Sequence, residues 1–448
     1  MLLISMLAFI TAGLMVGILV WLVLFKHVEA NILVIFVLLS YTLFRPLSIR
    51  FPLLGDLMAY HIALPLASAA LFFIIFSPRP TIYRRLPSPV VKFYGLYLVF
   101  LAVITISAFH GIDFVKSYSV WRNYAANLLL VTLVTLTLRK EEQINVVLYA
   151  LIAVTTVGAV LGGLQVFVSP KIAPAYLFLG EPWLVRYGYL PVGYANMPYK
   201  FGNDMLVGFL PTLALFLGQP AEHPNRIRIL LVLSLILGGL LLSRGLSSLI
   251  GSAIGTVYII YKFGIFKIFK KFLLIIIALM SIIGLLFSKE IIIWLINTYT
   301  SYQYIESRWC LVLAGLQMLQ TAPFTGIGLA NFSILSPEYL LKICGFVLDT
   351  GPHNVFLQVL VENGIIGLAL YLSIWWYAFH TCSLSDTMQP QASSLKTVGV
   401  GLRGTLIGYM IDALFHNYTF DNHLWLIIGL CISVGNCALS FRGAVRWL

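Results

Sequence analysis

Apolar residues occur along the chain in long runs that are separated by short polar segments. A helix needs about 20 apolar residues to cross the hydrocarbon core of a bilayer. The apolar segments lie near residues 1–25, 30–44, 57–76, 90–109, 123–138, 145–168, 203–218, 229–243, 245–261, 272–288, 355–379, 398–415 and 423–441. We predict an all-α, polytopic transmembrane helical bundle of about 12 spans, which forms a single integral membrane domain over residues 1–448.

The composition agrees with this pattern. Hydrophobic residues make up 60% of the chain and charged residues 10%, whereas a soluble domain is about a quarter charged. A soluble enzyme, a secreted disulfide scaffold and a disordered chain are therefore excluded. The net charge of +12 is concentrated in clusters between apolar segments, such as Lys262, Lys267, Lys270 and Lys271. Basic residues mark cytoplasmic loops, so the charge indicates topology and a cytoplasmic C-terminus rather than nucleic-acid binding.

Two long connections fall on the opposite, outer face, over residues 169–202 and 289–354. Loops of this length usually carry function. Within the second loop, residues 304–319 have the pattern of an amphipathic helix at the membrane surface, although a surface helix without chemistry would look the same. Cys310 and Cys344 share this loop, and they either form a disulfide in an oxidising compartment or remain buried thiols.

Ionisable residues near membrane depth are costly and are therefore functional candidates. Arg244 lies in a tight turn between two apolar segments, Arg308 lies in the second long loop, and His353 ends that loop. Structural alternatives exist: Arg244 snorkels to the interface, Arg308 contacts Glu306, and the histidine belongs to a helix-starting turn. Further candidates for substrate binding are Arg186, Lys200, Asn354, Asp412 and His416, and Asp412 and His416 are spaced to pair with each other. Arg403 is expected to face the bundle or the cytoplasm.

Metal and cofactor chemistry have no support in the sequence. The five cysteines form no spacing typical of a metal site, and no nucleotide or zinc motif is present. Outer-face carboxylates such as Asp204 and Asp421 are few, and none forms a DxD motif. We predict that the protein uses neither a metal ion nor a cofactor.

An ordered set of motifs occupies roughly residues 240 to 370. Ser243-Arg244-Gly245 is followed by Arg308-Trp309, by Pro323-Phe324-Thr325-Gly326-Ile327-Gly328-Leu329-Ala330-Asn331-Phe332, by Pro352-His353-Asn354 and by Glu362-Asn363-Gly364-Ile365-Ile366-Gly367. In this order they resemble the O-antigen ligase and O-antigen polymerase superfamily of bacterial inner membranes, and most of all an O-antigen ligase. The N-terminal half agrees only in being a run of membrane helices.

The resemblance implies a membrane-embedded glycosyltransferase of the C type, whose long periplasmic loop contains short interfacial helices. Such enzymes transfer an O-antigen glycan from undecaprenyl diphosphate to a hydroxyl of lipid A–core oligosaccharide, in lipopolysaccharide biosynthesis, without a metal. By this resemblance His353 matches an essential histidine, expected to act as general base, while Arg244 and Arg308 match arginines expected to bind the diphosphate. An O-antigen or exopolysaccharide polymerase and a protein O-oligosaccharyltransferase remain alternatives, and a lipid-linked glycan flippase is a weaker one.

Overall fold

The structure is a computed structural model that describes residues 31–43, 48–51, 55–58, 64–65, 67–68, 87–173, 176, 190–195, 197–220, 222–265, 302–347, 351–388, 394–416 and 421–445. The helices in this part of the chain are α1 (Asn31–Leu43), α2 (Ser88–Phe109), α3 (Phe114–Thr137), α4 (Glu141–Phe167), α5 (Pro198–Gly218), α6 (Arg226–Leu242), α7 (Leu246–Lys262), α8 (Tyr302–Thr321), α9 (Asn331–Cys344), α10 (Val355–Ser383), α11 (Leu395–Ala413) and α12 (Asn422–Val445). Two short strands, β1 (Ser48–Phe51) and β2 (Gly55–Met58), pair antiparallel.

Most of the predicted apolar segments correspond to described helices. Five of these are long and apolar enough to cross a membrane, namely α2, α4, α5, α12 and α10 with the short turn that follows it, and α7 is a shorter apolar helix. The prediction of a helical membrane protein is thereby confirmed. The segments near 1–25 and 272–288, and most of 57–76, lie outside the described residues. The count of about 12 spans and the C-type arrangement stay predictions.

Two local features differ from the sequence expectation. The β1–β2 pair, in which Ser48 lies opposite Met58, departs from a purely helical chain. Helix α3 begins at Phe114 rather than near residue 123, because the Asp113 carboxylate accepts a hydrogen bond from the Lys116 N–H at 3.1 Å and caps the helix. Because this first part of α3 contains charged residues such as Arg122, the pattern of hydrophobic residues did not predict it.

Helices α7 and α11 run antiparallel and approach closely through glycines that are four residues apart on each helix. A β-carbon on Gly251 would lie 2.3 Å from the Gly408 carbonyl oxygen, and one on Gly255 would lie 2.7 Å from that of Gly404. These positions therefore have no room for a side chain, and small residues such as glycine let the backbones of two membrane helices approach closely. The start of α7 is therefore held beside the end of α11, where candidate site residues lie.

Helices α8 and α9 form a hairpin with its own hydrophobic cluster, separate from the main core. The cluster consists of Cys310, Leu311, Ala314, Met318, Phe332, Leu340, Leu357 and Val361, the last two from α10. A disulfide joins Cys310 to Cys344, which decides between the two alternatives for these cysteines. Helix α8 covers the predicted amphipathic segment 304–319, whose position at a membrane surface stays a prediction.

The loop between α8 and α9 interlocks with a break in α10 at Gly364, where φ is 67°. The break leaves backbone groups of α10 without helical partners, and the loop satisfies them. The hydrogen bonds run from Ile327 N–H to Val361 O (2.9 Å), from Gly328 N–H to Glu362 O (3.1 Å) and from Ile365 N–H to Pro323 O (3.0 Å). A β-carbon on Gly326 would lie 2.3 Å from the carbonyl carbon of Glu362. The glycine motifs at 323–332 and 362–367 thus pack against each other and are linked by backbone hydrogen bonds.

Candidate active site

Arg308, His353 and the end of α11 meet at one end of the bundle. The Arg308 guanidinium, on α8, donates from Nη1 to the Phe415 carbonyl oxygen at 2.7 Å. Its charge lowers the pKa of both His353 and His416, and His353 contributes to the effect on His416. Residues that are far apart in sequence therefore share one electrostatic environment. The alternative of a Glu306–Arg308 contact lies outside the described residues, because the Glu306 side chain is not among them.

His353 has a strained backbone and an uncharged ring. Its φ is 50°, in the left-handed region that residues other than glycine seldom adopt. Burial, and secondly the charge of Arg308, lower the pKa of His353 from about 6.5 to about 4. The imidazole is therefore neutral at physiological pH. Strain of this kind is concentrated at functional sites, where the surrounding structure enforces it.

Arg244 occupies the tight turn between α6 and α7, also with a left-handed backbone, at φ 52°. Ser243 stabilises the turn, because its Oγ accepts from the Gly245 N–H at 3.2 Å and donates to the Leu240 carbonyl at 2.7 Å. The Arg244 side chain is exposed, and no described residue forms an ion pair or hydrogen bond with its guanidinium. Among the described residues other than glycine, only Ala330 shares this left-handed backbone with Arg244 and His353.

His416 connects this turn to the Arg308 site. Its Nε2 lies 2.8 Å from the Oγ of Ser247, three residues after Arg244, and its ring stacks on Tyr199 with centroids 5.1 Å apart. Burial, and secondly the charge of Arg308, lower the pKa of His416 to about 3. The first turns of α5 and α7 and the end of α11 therefore surround one neutral imidazole.

The buried Asp412 carboxylate links three helices through hydrogen bonds. Its carboxylate is fully buried and accepts from Asn203 Nδ2 at 2.8 Å and from Ser248 Oγ at 3.0 Å. The predicted pairing with His416 is present only as a 3.9 Å approach, because Ser247 takes the closer position on the ring. Asp412 thus ties α5 and α7 to α11 behind the site.

The remaining sequence candidates have varied positions. Asn354 caps α10, since its Oδ1 accepts from the Leu357 N–H at 2.9 Å, which gives it a structural role. Lys200 lies half-buried in the first turn of α5, next to Tyr199, and Arg186 lies outside the described residues.

Arg403 is buried and pairs with Asp386, between α10 and α11, at the opposite end of the bundle.

One buried polar group was not predicted from the sequence. His423 Nδ1 lies 2.9 Å from the Asp204 carboxylate and 3.7 Å from that of Asp421. One ligand atom from each residue lies within 4.8 Å of the others, which is compatible with a metal ion. The contact between the His423 ring and the Asp204 carboxylate already gives both groups a hydrogen-bond partner. The available signal was the placement of Asp204 and Asp421 at the heads of two apolar segments.

These features define a polytopic helical membrane protein whose functional candidates gather at one end of the bundle. Residues 229–372 match the family model described as O-Antigen ligase, and this match confirms the resemblance to the O-antigen ligase and polymerase superfamily. It supports a membrane ligase-type or polymerase-type function. The matched segment, about a third of the chain, contains Arg244, Arg308 and His353 but not Asp412 or His416. No curated protein matches the chain.

Proposed function

We propose that the protein is a membrane glycosyltransferase that moves an O-antigen glycan from undecaprenyl diphosphate to a hydroxyl of lipid A–core oligosaccharide. The reaction takes place at the periplasmic face of the bacterial inner membrane. The observation that carries this proposal is the convergence of Arg308 and His353 within the segment that matches the O-antigen ligase model. The disulfide in the α8–α9 hairpin supports an oxidising side of the membrane for this end, as the periplasm provides.

Arg244 and Arg308 bind the diphosphate. A guanidinium offers a planar fork of donors that matches phosphate oxygens. The exposed side chain of Arg244 is available to a ligand, whereas the bond from Arg308 to the Phe415 carbonyl fixes the direction of its guanidinium. As the bond between the anomeric carbon and the diphosphate oxygen breaks, negative charge grows on the leaving group, and both arginines stabilise it.

His353 removes the proton from the acceptor hydroxyl as its oxygen attacks the anomeric carbon. Direct attack from the side opposite the diphosphate inverts the configuration at that carbon. The low pKa of His353 in the free protein keeps the imidazole neutral and ready to accept the proton. A bound diphosphate offsets the charge of Arg308 and raises the pKa of His353, so the histidine becomes a stronger base once donor is present. His416 and Lys200 lie at the edge of this site and contact the substrate.

The proposed reaction needs no metal ion, because the arginines supply the charge that a bound cation would otherwise provide. Asp204, Asp421 and His423 are the described residues that are arranged to hold an ion. A chelator therefore discriminates between two forms of the mechanism. Retained transfer after chelation agrees with arginine-based stabilisation, and lost transfer that returns on adding a divalent ion contradicts it.

The experiment uses the purified full chain in liposomes, with a defined undecaprenyl diphosphate glycan as donor. Three acceptors are offered separately: lipid A–core oligosaccharide, a carrier-linked single repeat unit, and a serine-containing peptide. The proposal predicts transfer to lipid A–core. Extension of the carrier-linked repeat without transfer to lipid A–core would contradict it and indicate a polymerase. Glycosylation of the peptide alone would indicate a protein oligosaccharyltransferase.

A further inference from the structure

The α8–α9 hairpin carries Arg308 but has only a small core of its own. Its cluster comprises eight buried residues, is shared with α10 and is separate from the main core. Small cores supply little stability alone, and natural small units often add a crosslink. On α8 the cluster begins at Cys310, so Arg308 lies just beyond its edge.

The hairpin is fastened at both of its ends. At the closed end, the loop after α8 interlocks with the break in α10 through Ile327 and Gly328. At the open end, the disulfide joins Cys310 to Cys344, the last residue of α9, across a sequence separation of 34. Arg308 stands two residues before this crosslink. Only Trp309 separates Cys310 from Arg308, whose guanidinium donates to the Phe415 carbonyl at the end of α11.

We propose that the Cys310–Cys344 disulfide positions Arg308 in the site and makes donor binding depend on oxidation of this pair. The proposal rests on the proposed function, in which Arg308 binds the diphosphate. The two cysteines are positioning residues, since they act through the arginine. Without the crosslink, the first turns of α8 separate from α9 while the interlocked end remains in place. The Arg308 guanidinium then loses its fixed direction, and the affinity for the anionic donor falls.

Reduction tests this proposal on the folded protein. One dithiothreitol gives two electrons and two protons to the S–S bond, which becomes two thiols, and the reagent closes into its cyclic disulfide. The other three cysteines, Cys382, Cys431 and Cys437, are free thiols and buried. A Cys310→Ser/Cys344→Ser variant keeps these three cysteines but lacks the disulfide, so treating it with dithiothreitol controls for effects of the reagent that do not depend on the Cys310–Cys344 bond. Thiol alkylation followed by mass spectrometry verifies that the bond has been opened.

Donor KM and kcat are measured for the oxidised chain, the reduced chain and the double-serine variant, each with Arg308 or with Arg308→Lys. We expect reduction and the double-serine change to raise the donor KM about tenfold. We also expect Arg308→Lys to raise KM in the oxidised chain but to change it less than about twofold once the crosslink is absent, because coupled residues are not additive. A purely structural crosslink would lower the amount of active protein and leave the Arg308→Lys ratio unchanged.

Two further outcomes overturn the proposal, and they differ in what they imply. If verified reduction leaves the donor KM unchanged while Arg308→Lys impairs transfer, the positioning role fails and the proposed function stands. An Arg308→Lys variant that binds and transfers the donor normally removes the diphosphate role of Arg308, and the positioning role with it. Reduction is applied to the chain after it has folded. The comparison of the oxidised and reduced chains therefore remains decisive even if the double-serine variant folds poorly.

Discussion

Replacing Arg244 with glycine separates the chemistry of this residue from its effect on stability. Arg244 has φ 52°, and a left-handed conformation costs a residue with a β-carbon about 1–2 kcal/mol. Glycine removes this strain but loses about 0.5–1 kcal/mol more conformational entropy on folding. Since no described residue forms a hydrogen bond or ion pair with the Arg244 guanidinium, we expect the free energy of unfolding of Arg244→Gly to stay equal or to rise by about 1 kcal/mol.

Transfer should respond in the opposite direction. Losing a donor that stabilises charge in the transition state costs about 3–4 kcal/mol, or about 10²–10³-fold in rate. We therefore expect Arg244→Gly to be at least as stable as the unaltered chain and nearly inactive. The assay combines thermal unfolding in detergent with the rate of glycan transfer from the defined donor in liposomes, normalised to folded protein.

Two further variants complete the comparison. Arg244→Ala keeps the β-carbon and its strain, so it should be less stable than Arg244→Gly and equally inactive. Arg228→Ala removes an equally exposed arginine near the opposite end of α6, and transfer should be retained. Transfer by Arg244→Gly within about threefold of the unaltered chain would refute the role of the guanidinium, because the donor effect is about two orders of magnitude.

Three further perturbations test other parts of the structure. The acid limb of kcat/KM should lie near pH 4, because burial and Arg308 lower the pKa of His353 to about 4 and the base is neutral above that pH; a limb near 6.5 would show an unperturbed histidine. Gly251→Ala should separate α7 from α11 and reduce both thermal stability and transfer, because its β-carbon would lie 2.3 Å from a backbone oxygen. Gly238→Ala, which meets no neighbour within 4 Å, is its matched control and should lose neither, as measured by unfolding and transfer assays. Arg403→Met removes one of the two cations that pair with Asp386, while Lys262 remains. It should lower the free energy of unfolding by about 2 kcal/mol, with transfer per folded molecule unchanged; equal loss of specific activity would contradict its placement away from the site.

Hydropathy could predict most of the described helices because crossing a bilayer requires long apolar runs, and these are local features of the sequence. It missed the start of α3, where an aspartate cap outweighs the polarity of the first turns. Arg244, Arg308 and His353 could be singled out because polar residues are conspicuous within such a sequence. Their roles depended on the family resemblance and remain proposals.

The contacts between distant segments could not be predicted. The pair Asp204–His423 requires α5 and α12 to meet, and nothing in either segment specifies that neighbour. The motif glycines at 326 and 364 are explained only when the loop and the broken helix are seen to exchange hydrogen bonds. The pairing of Cys310 with Cys344 was left open because a disulfide depends on the hairpin that brings the two sulfurs together.

The most direct test of the proposed mechanism is a single-turnover measurement of glycan transfer to lipid A–core, in the presence of a chelator, for the unaltered chain and for His353→Ala. The matched control is His380→Ala, an exposed histidine near the other end of α10. We expect full transfer by the unaltered chain and by His380→Ala, and a rate lower by about 10²–10⁴-fold for His353→Ala at normal folding. Transfer by His353→Ala at the rate of the unaltered chain would contradict the role of His353 as general base.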